Sequence, residues 1–157
     1  MVKNLKIGSL APEFKLEDKD GCCHTLAETS GKFVVLYFYP KDNTPGCTIE
    51  ARAFNSTLAT FKKRDVTIFG ISGGTQKSKT SFCQKHGLKL TLLSDPDFTL
   101  CKAYGAYGTK SFMGVKFKGI RRMTFILDAQ HRIVKIYDKV KVAKHAEEVL
   151  KDIDELG

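Results

Sequence analysis

The chain has 157 residues, 42% of them hydrophobic, which is enough to bury roughly two thirds of the unfolded surface in one domain over residues 1–157. Residues 1–30 contain no export signal and no stretch approaches the roughly 18 apolar residues of a membrane span, so we expect a cytoplasmic protein with no membrane contact. The net charge of +9 is spread over predicted helices and loops, which favours a solvated surface over nucleic-acid binding.

The first predicted element is a β-hairpin. Residues 14–17 alternate in polarity like a half-buried strand, and Asp20-Gly21 predicts a turn into a second strand at residues 23–26. Cys22 and Cys23 lie at this turn. Because no second pair of cysteines or histidines follows at zinc-like spacing, we expect exposed thiols and no metal site. The five cysteines of the chain have irregular spacing, which argues against a disulfide framework.

A strand, a short loop and a helix come next. Residues 33–39 are mostly β-branched and aromatic and predict a buried strand, while Pro40 and Pro45-Gly46 mark the loop. Cys47 therefore stands where the helix begins. The apolar residues that recur at helical spacing after it are Ala51, Phe54, Leu58 and Phe61.

The start of a helix favours a reactive thiol. The first helical turn leaves backbone N–H groups unpaired and carries about half a positive charge, which stabilises a thiolate. Helix N-termini and nearby cations lower the pKa of a cysteine from about 8.5 into the range of roughly 3.5 to 7.5, so the thiolate is present at cellular pH. Cys47 is therefore the best candidate for a nucleophile.

Two further strand–helix units are predicted. Residues 66–71 form a strand that is apolar enough to be central in a sheet, and residues 76–86 form a helix whose main apolar contact is Phe82. Cys83 lies about 100° further round this helix, so we expect it at the border of the buried face.

The C-terminal half predicts one more helix unit and a strand pair. Residues 90–93 form a strand, and the helix over residues 98–104 carries Cys101 on its apolar face, which predicts a buried structural thiol. The glycine-bearing residues 105–119 are interpreted as a loop. The remaining elements are antiparallel strands at 122–127 and 133–137 and a final helix whose apolar face comprises Ala146, Val149, Leu150 and Ile153. This order predicts an α/β sandwich with a mixed sheet, whose strand order the pattern leaves open.

The loop and helix start also carry a family motif. Pro40, Thr44 and Cys47 match the Pro-x-x-x-Thr-x-x-Cys motif of peroxiredoxins, and the chain most resembles the bacterioferritin comigratory protein, or peroxiredoxin Q, subfamily. The resemblance implies a thioredoxin-like fold to which the N-terminal hairpin is an addition. It spans nearly the whole chain through the motifs Ala11-Pro12-x-Phe14, Leu92-Leu93-Ser94-Asp95, Ser111-Phe112-Met113-Gly114 and Arg122-x-Thr124-Phe125.

The resemblance implies a peroxidase that reduces hydrogen peroxide or organic hydroperoxides through a sulfenic acid at Cys47, without a cofactor. It places Arg122 beside the sulfur, where a permanent positive charge stabilises the thiolate. Thr44 is expected to supply a hydroxyl to the peroxide, and Pro40 is expected to shield the thiolate. Glu50 either holds Arg122 in place or is an acidic residue favoured in a first helical turn.

Two routes for reducing the sulfenic acid stay open. One form of the subfamily has a resolving cysteine five residues after the peroxidatic one, where this chain has Arg52, and another form has it on the next helix, where Cys83 stands. We prefer a two-cysteine cycle that uses Cys83 and thioredoxin in a monomeric protein. A one-cysteine cycle with an external thiol is the alternative.

Other classes of protein are disfavoured. A thioredoxin-type dithiol oxidoreductase needs a Cys-x-x-Cys motif at the helix start, which Cys47 lacks. A chaperone-like or nucleic-acid-binding protein would use the basic surface instead. Peroxide-dependent loss of the free Cys47 thiol would separate the peroxidase from these binding proteins.

Overall fold

A computed structural model describes residues 5–157. Among these residues, no helix has the length and apolar character that crossing a bilayer requires. The elements in chain order are β1 (Lys15–Glu17), β2 (Cys23–Thr25), β3 (Phe33–Phe38), α1 (Pro45–Ser56), α2 (Leu58–Lys63), β4 (Val66–Ser72), α3 (Gln76–His86), β5 (Thr91–Ser94), α4 (Thr99–Ala103), β6 (Tyr107–Phe112), β7 (Val115–Ile120), β8 (Met123–Leu127), β9 (Ile133–Tyr137) and α5 (His145–Leu156).

The central sheet has the strand order β2-β1-β5-β4-β3-β8-β9. β3, β4 and β5 are parallel to one another, whereas β8 pairs antiparallel with β3 and β1 pairs antiparallel with β5. β3 lies inside the sheet, between β4 and β8, and each of its residues is buried. Its continuous apolar run suits this position because both faces of the sheet are covered.

The side chains of β3 alternate between two apolar clusters, as the two-residue period of a strand requires. Tyr37 lies in the cluster formed with α1, α3 and α5, and Leu36 lies in the cluster formed with α4 and the N-terminal residues. Cys47 and Cys83 belong to the first cluster, and Cys101 belongs to the second. The two thiols of the expected reaction cycle therefore share one side of the sheet.

Most predicted elements are confirmed. The structure has a mixed sheet flanked by helices, an N-terminal hairpin and a C-terminal antiparallel strand pair. The predicted helix over residues 76–86 is α3, with the same bounds. The helical spacing that continues from Phe54 to Phe61 is divided between α1 and α2, because Thr57 between them leaves the helical conformation with φ −100° and ψ 3°.

The interpretation of residues 105–119 as a loop is wrong. β6 and β7 form a separate hairpin, paired from Tyr107 opposite Ile120 to the turn at Met113 and Gly114. The two turn residues have φ values of 51° and 82°, which is the left-handed geometry of a tight hairpin turn that usually carries Asn-Gly. A methionine at the first position hides this turn from sequence-based prediction.

Candidate active site

Cys47 is the third residue of α1, which begins at Pro45 directly after the loop that follows β3. Proline suits the first helical position because the N–H that it lacks would be unpaired there. Thr44 precedes the helix in an extended conformation and makes no side-chain cap bond to it. The N–H groups of the first turn therefore remain available near the Cys47 side chain, which is 1% exposed.

Arg122 brings a positive charge to the sulfur of Cys47. It directly precedes β8, whose pairing with β3 carries it to the end of β3. The loop of residues 39–44, called the active-site loop below, begins there. Its Nη2 donates to Cys47 Sγ at 3.4 Å, and its Nη1 donates to Glu50 Oε1 at 2.8 Å. Gly46 allows this approach, because a Cβ at that position would lie only 3.2 Å from Arg122 Nη2.

Glu50 lies one helical turn after Cys47 and is fully buried. Burial raises the pKa of Glu50 to about 7, although Arg122 opposes this rise. Its Oε2 meets no hydrogen-bond partner among residues 5–157, in keeping with a carboxyl group that takes up a proton near neutral pH. Of the two interpretations of Glu50, the structure shows the contact with Arg122. Burial lowers the pKa of Arg122, but Cys47 and Glu50 raise it by more, so the guanidinium stays charged.

Thr44 and Pro40 lie in the loop before Cys47, and both are partly buried. The hydroxyl of Thr44 donates to the carbonyl oxygen of Lys41 at 2.8 Å, and the carbonyl oxygen of Thr44 accepts from the N–H of Thr48 at 2.8 Å. The hydroxyl hydrogen of Thr44 is thus already engaged in a hydrogen bond within the loop. Its oxygen lone pairs can still accept a hydrogen bond from a substrate.

Cys83 lies on α3 in the same apolar cluster as Cys47. Its exposure is 6%, against 0% for Phe82, so it is buried but less completely than Phe82, in keeping with a position at the border of the buried face. Burial raises the pKa of the Cys83 thiol. Cys47 and Cys83 lie on different helices, α1 and α3, and are not joined to each other.

The other cysteines lie away from this site. Cys22 and Cys23 are exposed, as predicted. Cys101 is fully buried in the opposite cluster, as predicted for a structural thiol, and burial raises its pKa strongly. Within the described range, no group of three or more His, Cys, Asp or Glu side chains is arranged to hold a metal ion.

Sequence patterns did not predict a buried ion pair that joins the active-site loop to α3. Lys79 Nζ donates to Asp42 Oδ2 at 3.2 Å, and the two residues are 0% and 7% exposed. Lysine is rarely buried completely unless it is paired. Lys79 lies in a mostly polar helix and resembles a solvated side chain, so no local pattern points to its partner.

The sequence of this chain is similar to those of known proteins. A model of the AhpC/TSA family matches residues 7–136, and peroxiredoxin Bcp of Escherichia coli (strain K12) is 40% identical over 146 residues, which cover 93% of this chain and 94% of that protein. The chain is therefore a peroxiredoxin of the AhpC/TSA family. The subfamily resemblance and the peroxidase activity inferred from the sequence are confirmed, and this peroxiredoxin is a thiol-dependent peroxidase.

Solved structures agree with this assignment. A mutant of PrxQ from Xylella fastidiosa superposes with a TM-score of 0.91 at 39% identity, covering 98% of both chains. The bacterioferritin comigratory protein of Xanthomonas campestris gives a TM-score of 0.89 at 36% identity, covering 100% of this chain and 99% of that one. The thioredoxin-like fold expected for this peroxiredoxin is thereby confirmed.

Proposed function

We propose that Cys47 is the nucleophile of this peroxidase and that it reduces hydrogen peroxide and organic hydroperoxides. The thiolate sulfur attacks one peroxide oxygen, the O–O bond breaks, and the departing hydroxide or alkoxide takes up a proton. Water or an alcohol leaves, and Cys47 remains as a sulfenic acid. The observation that carries this proposal is the 3.4 Å contact between Arg122 Nη2 and Cys47 Sγ at the start of α1.

Ionisation of the thiol accounts for only part of the rate. A cysteine is already a few per cent thiolate at neutral pH, so complete ionisation gains about 30-fold. Further acceleration requires donors aimed at the charge that develops on the departing oxygen. Arg122 and the N–H groups of the first turn of α1 can donate to that oxygen. Thr44 Oγ1 can accept from the O–H of the peroxide, and Pro40 shields the thiolate from bulk water.

Organic hydroperoxides are supported as substrates by one structural relative. The bacterioferritin comigratory protein of Xanthomonas campestris has alkyl peroxide reduction activity, and its structure aligns with the whole of this chain. The same constellation of thiolate and donors handles either peroxide, because the O–O bond is the group attacked in both.

The sulfenic acid is then resolved by Cys83. The Cys83 thiol attacks the Cys47 sulfur, a disulfide forms and water leaves. Thioredoxin reduces this disulfide by thiol–disulfide exchange. The presence of both cysteines in one apolar cluster supports this cycle. In the alternative one-cysteine cycle, an external thiol reacts with the sulfenic acid directly.

We also propose that the chain is one domain and functions as a cytoplasmic monomer without nucleic-acid or membrane partners. Its five cysteines have irregular spacing, unlike a disulfide framework, which suits a reducing compartment. Sedimentation velocity of the reduced protein should give a single species of 17.5 kDa. A larger species at micromolar concentration would contradict the monomer.

The Cys47→Ser variant tests the assignment of the nucleophile. We expect peroxide consumption with excess dithiol reductant to fall to the rate without enzyme, because a serine hydroxyl is a far poorer nucleophile at neutral pH. The matched control is Cys101→Ser, which changes a buried cysteine on the other side of the sheet and should keep its activity. Substantial activity in a folded Cys47→Ser variant would transfer the role to another cysteine.

A further inference from the structure

The active-site loop and α3 are joined by one buried polar cluster. Lys79 Nζ donates to Asp42 Oδ2 at 3.2 Å and to Ser72 Oγ at 2.7 Å. The hydroxyl of Tyr39 donates to Asp42 Oδ1 at 2.5 Å, and the hydroxyl of Ser78 donates to Asp42 Oδ2 at 2.7 Å. Both oxygens of the carboxylate therefore have partners, as the burial of a charge requires.

This cluster lies between the parts of the chain that carry the two cysteines. Asp42 stands in the loop that leads from β3 to Cys47. Lys79 stands four residues before Cys83 on α3, so the two side chains lie on the same helical face, one turn apart. Gly74 allows the start of α3 to close on the loop, because a Cβ at this position would overlap Asp42 Oδ2.

The ion pair is one of few buried contacts between α3 and the interior. Lys79, Phe82 and Cys83 are the residues of α3 that are buried. Removing one partner of a buried ion pair is strongly destabilising because it leaves an uncompensated charge, whereas replacing both partners by uncharged residues is often neutral. Loss of one partner alone should therefore destabilise the closed position of α3, because the other charge stays buried without compensation.

We propose that Asp42 and Lys79 are positioning residues that hold Cys83 buried on α3 while Cys47 reduces peroxide, and that their separation releases Cys83 for disulfide formation. This inference rests on the proposed role of Cys83. Because Lys79 and Cys83 share one face of α3, unwinding of this helix moves both side chains out of the protein interior together. The Cys83 thiol then attacks the sulfenic sulfur of Cys47, the S–O bond breaks, and the thiol proton leaves with the hydroxide as water.

The ion pair of Asp42 and Lys79 also affects the lifetime of the sulfenic acid at Cys47. While α3 is closed, a second peroxide molecule can oxidise the sulfenic acid to sulfinic acid, which is a dead end for the cycle. A tight contact between Asp42 and Lys79 thus favours this second oxidation at high peroxide, and a weak contact favours the disulfide.

The Lys79→Met variant tests this role, with Lys77→Met as the matched control, since Lys77 is exposed on the same helix. Quenched flow with thiol alkylation and mass spectrometry separates peroxide reduction from disulfide formation. We expect Lys79→Met to form the disulfide at least ~10-fold faster than the wild type, because the closed state then buries the Asp42 carboxylate without a compensating cation. The rate of peroxide reduction should change less than about threefold, since Asp42 keeps its hydrogen bonds from Tyr39 and Ser78. Less sulfinic acid should form under excess peroxide.

Two further variants extend the test if Lys79→Met does not fold. Ser72→Ala removes one acceptor of Lys79 and should speed disulfide formation about threefold. The double variant Asp42→Asn/Lys79→Met removes both charges and should return the rate towards that of the wild type. Disulfide formation at the wild-type rate in both Lys79→Met and Ser72→Ala would overturn the proposal, as would an equal loss of peroxide reduction and disulfide formation.

Backbone hydrogen exchange of Gln76–His86 in a Cys83→Ser background measures the closure of α3 without any disulfide chemistry. Exchange should become faster when Lys79→Met is added and should stay unchanged with Lys77→Met. If the wild type forms no disulfide between Cys47 and Cys83, the proposed role of Cys83 fails and the releasing step fails with it. Unchanged exchange in Lys79→Met would instead refute the positioning role, whatever the fate of Cys83.

Discussion

Arg122 and Glu50 both act on the charge near the Cys47 sulfur, and their effects partly oppose each other. Arg122 supplies a permanent cation at 3.4 Å from the sulfur, and Glu50 holds the guanidinium through its other nitrogen at 2.8 Å. A fully ionised carboxylate would offset much of the cation. Because burial raises the pKa of Glu50 to about 7, the carboxyl group is partly protonated near neutral pH. Arg122 is thus oriented without being fully neutralised.

Replacing Arg122 by methionine should weaken both thiolate formation and turnover. The ultraviolet absorbance of the thiolate at neutral pH should decrease, and the rate constant for peroxide should fall about 100-fold, the effect typical of losing one donor to a developing oxyanion. Arg121→Met is the matched control, since Arg121 is the exposed neighbour. Wild-type thiolate absorbance together with wild-type turnover in Arg122→Met would rule out the assigned role.

Glu50→Gln should change how stability depends on pH. Because the folded state holds the Glu50 proton more tightly than the unfolded state, this residue contributes its full stabilisation below pH 4.5, and the contribution is lost as the pH rises to about 7. The wild type should therefore lose up to about 3 kcal/mol of unfolding free energy relative to Glu50→Gln across this range. Urea denaturation of both proteins at several pH values measures the difference. Parallel stability curves would show that Glu50 has an ordinary pKa in the fold.

At the scale of elements, α3 is held against the first apolar cluster by few buried side chains. Its buried side chains are a lysine, a phenylalanine and a cysteine, and it ends at Gly87 in the left-handed conformation with φ 61°. By contrast, each residue of β3 is buried. Local opening is favoured where few apolar contacts hold an element. Disulfide formation should therefore proceed by unwinding of α3 and leave the sheet intact.

Peptide mapping after one equivalent of peroxide should find a disulfide between Cys47 and Cys83. Because α3 is expected to unwind when the disulfide forms, its amides should then lose protection from hydrogen exchange. The linkage should be absent in Cys83→Ser and retained in Cys101→Ser. A lasting Cys47 sulfenic acid in the wild type, with turnover by thioredoxin unaffected in Cys83→Ser, would instead establish the one-cysteine cycle.

At the scale of the whole molecule, two apolar clusters on opposite faces of one sheet supply the core. Tyr37 lies in the cluster that contains the active site, where its ring stacks on Phe54 with centroids 4.7 Å apart. Its hydroxyl is buried and has no hydrogen-bond partner within the part of the chain that the structure describes. The next tyrosine on the same face, Tyr39, donates to Asp42 at 2.5 Å. A buried polar group without a partner costs free energy, whereas a paired one does not.

These two tyrosines should respond in opposite ways to the same substitution. Tyr37→Phe removes an unpaired hydroxyl and should raise the free energy of unfolding by about 1 kcal/mol, whereas Tyr39→Phe removes a donor to a buried carboxylate and should lower it by about 2 kcal/mol. Chemical denaturation of the reduced proteins measures both values. A loss of stability in Tyr37→Phe equal to that in Tyr39→Phe would mean that the Tyr37 hydroxyl is paired in solution.

Local sequence signals were sufficient to predict the segment that carries Cys47. Strand β3, the loop with its two prolines and the helix that begins near Cys47 depend on residues adjacent in sequence, whose apolar spacing and turn chemistry can be read without knowing the fold. The motif of Pro40, Thr44 and Cys47 pointed to the family for the same reason. The burial of Cys101 followed from its position one turn after Phe98.

Only the tertiary structure decided which distant groups meet at the site. The contact of Arg122 with Glu50 joins residues 72 positions apart, and the contact of Asp42 with Lys79 joins residues 37 positions apart. Both depend on the order of strands in the sheet, which the sequence pattern left open. The resemblance to peroxiredoxins supplied Arg122, but no motif contained Lys79. A lysine in a polar helix is indistinguishable in sequence from a solvated one, because its burial is determined by the carboxylate that the fold places opposite it.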